Sequence, residues 1–338
     1  MEEYPIVVDV DADEPQRFKD LWFDDGNLVL RAEGNMYRVY RGILAARSPV
    51  FKDMFALPQP ADAEVIEGCP VVRLPDPALE VTVFLRAIFD PVFFEPYPAA
   101  TNFHIVAGIL RLSNKYAVDY LRHRALVHFS SAYFTTLREW QASGEESSPW
   151  KRPSWHSSAP LSVYIVSIAL AREVEVPWIL PFAFYCLAVE CAHNVNSALG
   201  HFYHNGRTST LSNADQARLL QGCIPQVTAT TSVVRFLHFP AAVAGCTGGQ
   251  KCSLERLRAM ERVQDDRDSG EYQCQPLSIW DEVDWDSLAC CRPCMKALKL
   301  RHKKDRQEFW EQLPETYDLP GWEQLEEMKR GALGSAIN

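Results

Sequence analysis

The chain has 338 residues, of which 47% are hydrophobic and 23% charged, as in an ordinary globular protein of two domains. Its net charge of −10 disfavours nucleic acid as a partner, because phosphates repel a surface that lacks a strong basic patch. The longest apolar run, residues 178–189, is too short to span a bilayer, and the N-terminus has no signal-peptide pattern. We therefore expect an intracellular protein, cytoplasmic or nuclear, with no membrane association.

Two β-prone runs, residues 28–30 and 37–40, come first along the chain. The turn-forming residues 33–35 lie between them, and this pattern predicts a β-hairpin. A short helix follows. Ser48 and Pro49 then predict the start of a second helix, because serine caps the first backbone N–H groups and proline fits the first turn.

The second predicted helix has an apolar face. Val50, Phe51, Met54 and Phe55 recur at a spacing of three to four residues. Such a face packs into the core of its own domain or contacts a partner, and we retain both interpretations. If it is a contact surface, the mechanism is burial of apolar area without chemistry.

A third strand is predicted at residues 71–74, where valine and leucine dominate. Asp76 and Pro77 repeat the pattern of a capping residue followed by proline, so they predict the start of another helix. Two further helices with apolar faces are expected near residues 102–113 and 119–140.

Composition changes between residues 141 and 158, where serine and proline replace the aliphatic pattern. We interpret this stretch as a linker or long loop between a first domain at 18–140 and a second at 159–330. The second domain is expected to be α-helical throughout. Its predicted helices lie near residues 161–172, 178–193 and 212–221.

The order of these elements, and the residues in them, resemble the BTB/POZ domain over about residues 18–135. The segments that carry the resemblance are 24–30 (DDGNLVL), 40–55 (YRGILAARSPVFKDMF), 72–76 (VRLPD), 84–89 (FLRAIF) and 110–118 (LRLSNKYAV) with Leu121. One departure is Tyr40, where the family usually has a histidine. The resemblance implies an α+β fold, a small sheet flanked by helices, followed here by a mainly α-helical C-terminal domain.

The resemblance also implies a function. BTB domains often pair through their N-terminal region and first helix, which predicts protein partners and a homo- or hetero-oligomer. Many dock a cullin scaffold as adaptors of a ubiquitin ligase, and known cullin binders carry a hydrophobic-x-Glu element just beyond the helix that ends here at Phe55. Residues 56–60 (ALPQP) lack that element. Self-association and a cullin adaptor therefore both remain open.

The whole chain is similar to a large set of BTB proteins from mushroom-forming (basidiomycete) fungi. The tail carries this second resemblance, which brings little functional knowledge with it. Its segments are residues 280–285, 291–294, 309–314 and 319–325.

Ten cysteines occur in a chain that we expect to be intracellular, so disulfides are not predicted. Two close pairs, Cys246 with Cys252 and Cys291 with Cys294, have the ligand type and number that a structural zinc ion requires. The first pair and the interval between the pairs are wider than in common zinc fingers. Cys290 and His302 are alternative ligands, and reduced thiols in a helical domain are the alternative to a zinc site.

Two other function classes are alternatives to a protein-interaction module. A BTB-type transcription regulator conflicts with the net charge and with the absence of a recognisable zinc-finger array. The basic run 296–306 lies next to Asp305, Glu308 and Glu311, as on a solvated helix face. A zinc-dependent hydrolase lacks the expected motifs, and we expect no enzymatic activity and no catalytic residues. His193, His201 and His204 are expected to be surface-loop residues.

Overall fold

A curled five-stranded sheet in the order β1-β3-β2-β5-β4 forms the base of the N-terminal part. The computed structural model describes residues 15–58, 63–144, 153–157, 161–192, 200–238, 243–270 and 272–334. Strands β2 and β3 pair antiparallel, as do β4 and β5, whereas β1 pairs with β3 and β2 with β5 in parallel. The strands are β1 (Gln16–Trp22), β2 (Leu28–Ala32), β3 (Asn35–Val39), β4 (Val65–Ile66) and β5 (Cys69–Leu74).

The predicted hairpin is confirmed. Ala32 lies opposite Asn35, so Glu33 and Gly34 form a two-residue turn. Glu33 adopts a left-handed φ of 49°, which is the backbone conformation that such a turn requires. Strand β1 was not predicted.

Five helices flank this sheet. Helix α2 begins as predicted, because the Ser48 Oγ accepts a 3.0 Å hydrogen bond from the Phe51 N–H and Pro49 is the first helical residue. The predicted cap at Asp76 is wrong: Pro77 occupies the N-cap position, and the Asp76 carboxylate accepts a 2.6 Å hydrogen bond from Lys115 instead. The helices are α1 (Arg41–Arg47), α2 (Pro49–Ala56), α3 (Ala78–Phe89), α4 (Phe103–Lys115) and α5 (Asp119–Ser130).

The helix predicted at 119–140 is wrong in its extent, because α5 ends at Ser130 and a separate helix starts at Leu137. Thr136 and Glu139 form a capping box that begins this new helix. The predicted linker lies only in part within the described residues. The remaining helices are α6 (Leu137–Ala142), α7 (Ser154–Ser157), α8 (Leu161–Glu173), α9 (Leu180–Cys191), α10 (Asn213–Val233), α11 (Gln250–Asp268), α12 (Glu282–Ser287), α13 (Arg292–Thr316) and α14 (Trp322–Leu333). Short 3-10 helices lie at Pro177–Ile179 and Arg235–His238.

The C-terminal part is mainly helical, but the prediction that it is helical throughout is wrong. Strands β6 (Phe202–His204) and β7 (Arg207–Ser209) form a hairpin. Asn205 and Gly206 make its turn with φ values of 52° and 80°, and both residue types tolerate that conformation.

The C-terminal part packs directly on the sheet-containing part, and one continuous cluster of buried apolar residues runs through both. Two tryptophans join them: Trp178 Nε1 donates to Ser130 Oγ at 3.0 Å, and Trp310 Nε1 donates to the Thr135 carbonyl at 3.2 Å. Within the described ranges, no helix combines the length and apolar character needed to cross a membrane.

Candidate protein-binding surface and cysteine cluster

Two of the four residues predicted as an interaction surface lie in the core. Phe51 is 0% exposed and Phe55 6%. The Phe51 ring stacks on Tyr116 with ring centroids 4.6 Å apart and on Phe55 at 5.7 Å. These rings fix α2 on the domain, so neither is accessible to a partner in this conformation.

Polar contacts hold the same helix in place. The Ser48 Oγ donates to the Tyr116 carbonyl at 2.5 Å, and the Tyr116 hydroxyl donates to the Asp76 carboxylate. Burial, and then this carboxylate, raise the pKa of Tyr116, so its hydroxyl remains a proton donor. These contacts fix the start of helix α2 on the core of its domain.

Apolar side chains remain exposed around α1 and α2. Val50 is 36% exposed, Ile43 41% and Leu57 66%, while Met54 is half-buried. We call these four residues the α1–α2 surface. Val50 and Met54 are thus the two predicted residues that can contribute directly to a contact.

Among the residues that the structure describes, β1 lies at one edge of the sheet. In the strand order of the described residues, β1 has β3 as its single neighbour, and most of its side chains are exposed. Arg17 forms an ion pair with Glu67 at 2.5 Å on this side. An edge strand has unpaired backbone groups that can accept another strand.

The four predicted cysteine ligands come together. The sulfur atoms of Cys246, Cys252, Cys291 and Cys294 all lie within 4.8 Å of one another. Backbone N–H groups, first that of Cys294 and then that of Thr247, lower the pKa of Cys291 to about 5. Burial, and then the Cys246 thiol, raise the pKa of Cys294.

Neither alternative ligand belongs to this group. The Cys290 thiol donates to the Cys252 carbonyl with a sulfur–oxygen distance of 3.6 Å. His302 packs against Phe236 and Trp285, with ring centroids 5.1 and 5.6 Å away, and burial lowers its pKa to about 3. His302 is therefore a neutral core residue.

The predicted surface position of His204 is wrong. His204 lies in β6, half-buried, with its ring centroid 5.1 Å from that of Phe103. Burial, and then His104, lower its pKa to about 4. His201 is exposed as expected, and His193 lies outside the described residues.

The basic run falls on α13, where acids accompany it. Lys304 pairs with Glu308 at 3.4 Å, and Arg301 pairs with Asp305 at 2.8 Å, each one helical turn apart. The pair of Lys304 and Glu308 is exposed, as is typical of a solvated helix face, whereas Asp305 is buried and holds Arg301 against the domain.

The described residues form a small sheet with helices packed on it, and apolar side chains remain exposed around a helix that is fixed by its buried face. This architecture is typical of a class of protein-interaction domain. Residues 21–131, about a third of the chain, match the family model of the BTB/POZ domain. The chain therefore contains a BTB/POZ domain, which is a protein–protein interaction module. No curated protein and no solved structure shows significant similarity to the chain.

Proposed function

We propose that this chain functions by self-association and partner recruitment through its BTB domain, without catalysing a reaction. The observation that carries the proposal is the α1–α2 surface, where exposed Ile43, Val50 and Leu57 surround a helix whose buried face is fully packed. Strand β1, which lies at the sheet edge among the described residues, offers a second contact on the same domain.

A fixed helix is a good basis for recognition. The stacking of Phe51 on Tyr116 and the Ser48 cap hold α2 in one position before any partner arrives. Binding therefore costs little conformational entropy, and more of the apolar burial contributes to affinity. In this account Phe51 and Phe55 act by positioning the helix, while Val50 and Met54 supply contact area.

A more specific form of this proposal is that the chain is a substrate adaptor of a cullin-type ubiquitin ligase. It rests on the family alone, since residues 56–60 lack the hydrophobic-x-Glu element of known cullin binders. Capture of the tagged chain from a lysate that contains cullins separates the two versions. A cullin in the eluate supports the adaptor, whereas its absence leaves general recruitment and removes the adaptor.

Two finer assignments, the compartment and the group of BTB proteins, belong to the same proposal, and two alternatives stand beside it. We place the protein in the cytoplasm or nucleus, among the BTB proteins of mushroom-forming fungi. A transcription regulator is the alternative within the BTB class, and salt-sensitive retention on DNA would support it. A zinc-dependent hydrolase is the remaining alternative, and it requires a metal with an open coordination position.

Self-association through the α1–α2 surface can be tested with two differently tagged copies of the full chain, one used to capture the other. Val50→Asp puts a charge on this surface, and because Val50 lies in the first turn of α2, an acid there is compatible with the helix. We expect capture to fall at least tenfold.

The control is Val227→Asp. Val227 is 39% exposed on α10, close to the 36% of Val50, and lies on a different helix. We expect this variant to be captured like the unaltered chain. Undiminished capture of Val50→Asp would contradict the proposed surface.

A further inference from the structure

We propose that Cys246, Cys252, Cys291 and Cys294 bind one zinc ion as four thiolates, and that this ion stabilises the C-terminal domain. The proposal is independent of the BTB contact surface. It rests on four sulfur atoms that come from two segments 39 or more residues apart and meet within 4.8 Å of one another.

The distances match a tetrahedral metal site. Zinc–sulfur bonds of about 2.3 Å place the corners of a regular tetrahedron about 3.8 Å apart. The Sγ atoms of Cys246 and Cys291 are 3.8 Å apart. A disulfide would bring them to about 2.0 Å, so the spacing suits a shared metal better than a covalent bond.

The backbone around the cluster favours thiolates. Cys252 lies in the first turn of α11, Cys291 is the N-cap of α13 and Cys294 lies in its first turn, so two helix N-termini meet at the sulfur atoms. The Cys291 N–H donates to the Cys252 Sγ at 3.3 Å. The partial positive charge of helix N-termini and these N–H groups stabilise anionic sulfur.

Core packing does not account for the cluster. Cys246 and Cys291 are only half-buried, which is unusual for cysteines that serve as small apolar residues. Cys252 and Cys294 are each 2% exposed, yet neither belongs to the apolar clusters found among the described residues. Buried sulfur atoms that stand apart from these clusters and lie beside three other sulfur atoms have the environment of metal ligands.

Gly248 allows the loop to close on the cluster. A β-carbon at this position would lie 2.3 Å from the Cys252 Sγ, far inside van der Waals contact. The loop between the first two cysteines therefore passes directly over a ligand sulfur. This close approach requires glycine and explains how the wide spacing of Cys246 and Cys252 still yields a compact site.

Four thiolates on one zinc ion carry a net charge of −2, and binding to thiols releases four protons. Arg256 lies one helical turn beyond Cys252 and is 7% exposed, so a buried positive charge is carried by the same helix. Four protein ligands leave no open position for water, so the ion would be structural, joining the start of α11 to the start of α13.

The metal content of the purified, untagged full chain tests the proposal directly. Elemental analysis under reducing conditions should find about one zinc per chain, the value for a single four-ligand site. Cys294→Ser should reduce this at least tenfold, whereas Cys290→Ser, at a neighbouring cysteine outside the group, should retain it.

A cobalt titration of the wild-type chain tests the same site without a variant, and so it still gives an answer if Cys294→Ser fails to fold. The zinc-free wild-type chain, prepared with chelator and reductant, should bind one Co²⁺ with the absorption of a tetrahedral tetrathiolate site, and zinc should displace it. A reduced wild-type chain that binds neither metal would overturn the proposal. So would retention of iron in place of zinc, or of zinc by Cys294→Ser.

Discussion

The Arg207 Nε lies 3.0 Å from the fully buried carboxylate of Glu80, and this ion pair joins the β6–β7 hairpin to helix α3 of the BTB domain. Arg111 pairs with the same carboxylate from α4, and Arg207 also lies 3.4 Å from Asp76. Buried acids of the BTB domain are thus neutralised in part by the C-terminal half. The two parts are coupled electrostatically as well as by their shared core.

Removal of Arg111 tests the importance of this network. Arg111→Met should lower the free energy of unfolding by about 3 kcal/mol, because Glu80 would lose its closest counter-charge in the interior. Arg73→Met is the control: Arg73 pairs with Glu64 at 2.7 Å on the surface, where ion pairs contribute little. Urea denaturation measures both. Equal effects would contradict a structural role for the buried pair.

Adjacent residues of α2 should differ sharply in their contribution to stability. Phe51→Ala should lower the free energy of unfolding by about 3–5 kcal/mol, because it removes a fully buried ring that stacks on Tyr116. Val50→Ala should cost well under about 1 kcal/mol, as expected of a surface residue. Denaturant unfolding of the two variants checks this. A small effect of Phe51→Ala would mean that α2 is packed differently.

His302 should make the C-terminal domain sensitive to acid. Its pKa is lowered from 6.5 to about 3 by burial, so the unfolded chain binds this proton more readily than the folded one. Its contribution to stability is complete above pH 6.5 and decreases as the pH falls towards 3, by at most about 1.4 kcal/mol per unit.

His302→Phe keeps an aromatic ring among Phe236 and Trp285 but cannot bind a proton. We expect this variant to lose less stability than the wild type between pH 6.5 and 5. His201→Phe, at an exposed histidine, serves as the control and should follow the wild-type curve. Parallel curves for wild type and His302→Phe would refute the assignment.

The glycine over the cysteine cluster offers a test that leaves every zinc ligand in place. Gly248→Ala would put its β-carbon against the Cys252 Sγ, so we expect zinc affinity to fall about 10- to 100-fold, as for other residues that orient ligands. Gly321→Ala, where a β-carbon meets open space, should leave affinity unchanged. Competition with a chromogenic chelator measures both, and equal affinities would argue against a metal at this loop.

Local signals in the sequence predicted the local structure well. The turn at Glu33 and Gly34 and the start of α2 at Ser48 were both confirmed, because their hydrogen bonds involve residues within a few positions. Asp76 had the same local pattern, but a distant residue, Lys115, binds its carboxylate and Pro77 takes the cap position.

Elements that depend on distant partners were missed. Strand β1 is mostly exposed, with Leu21 as its buried residue, and it pairs in parallel with β3, which no short-range pattern indicates. Each strand of the β6–β7 hairpin has three residues, and the ion pairs of Arg207 hold the hairpin on the BTB domain. The cysteine spacing identified the four candidate ligands, but only the fold shows that α11 and α13 bring them together.

The central claim, that the BTB domain makes this chain self-associate, is tested most directly by its mass in solution. Light scattering of the full chain, measured across a range of concentrations, should approach at least twice the 38.4 kDa of one chain. Val50→Asp should shift the concentration at which monomers associate to a higher value. A mass that stays at 38.4 kDa for the wild type at every concentration would contradict the account.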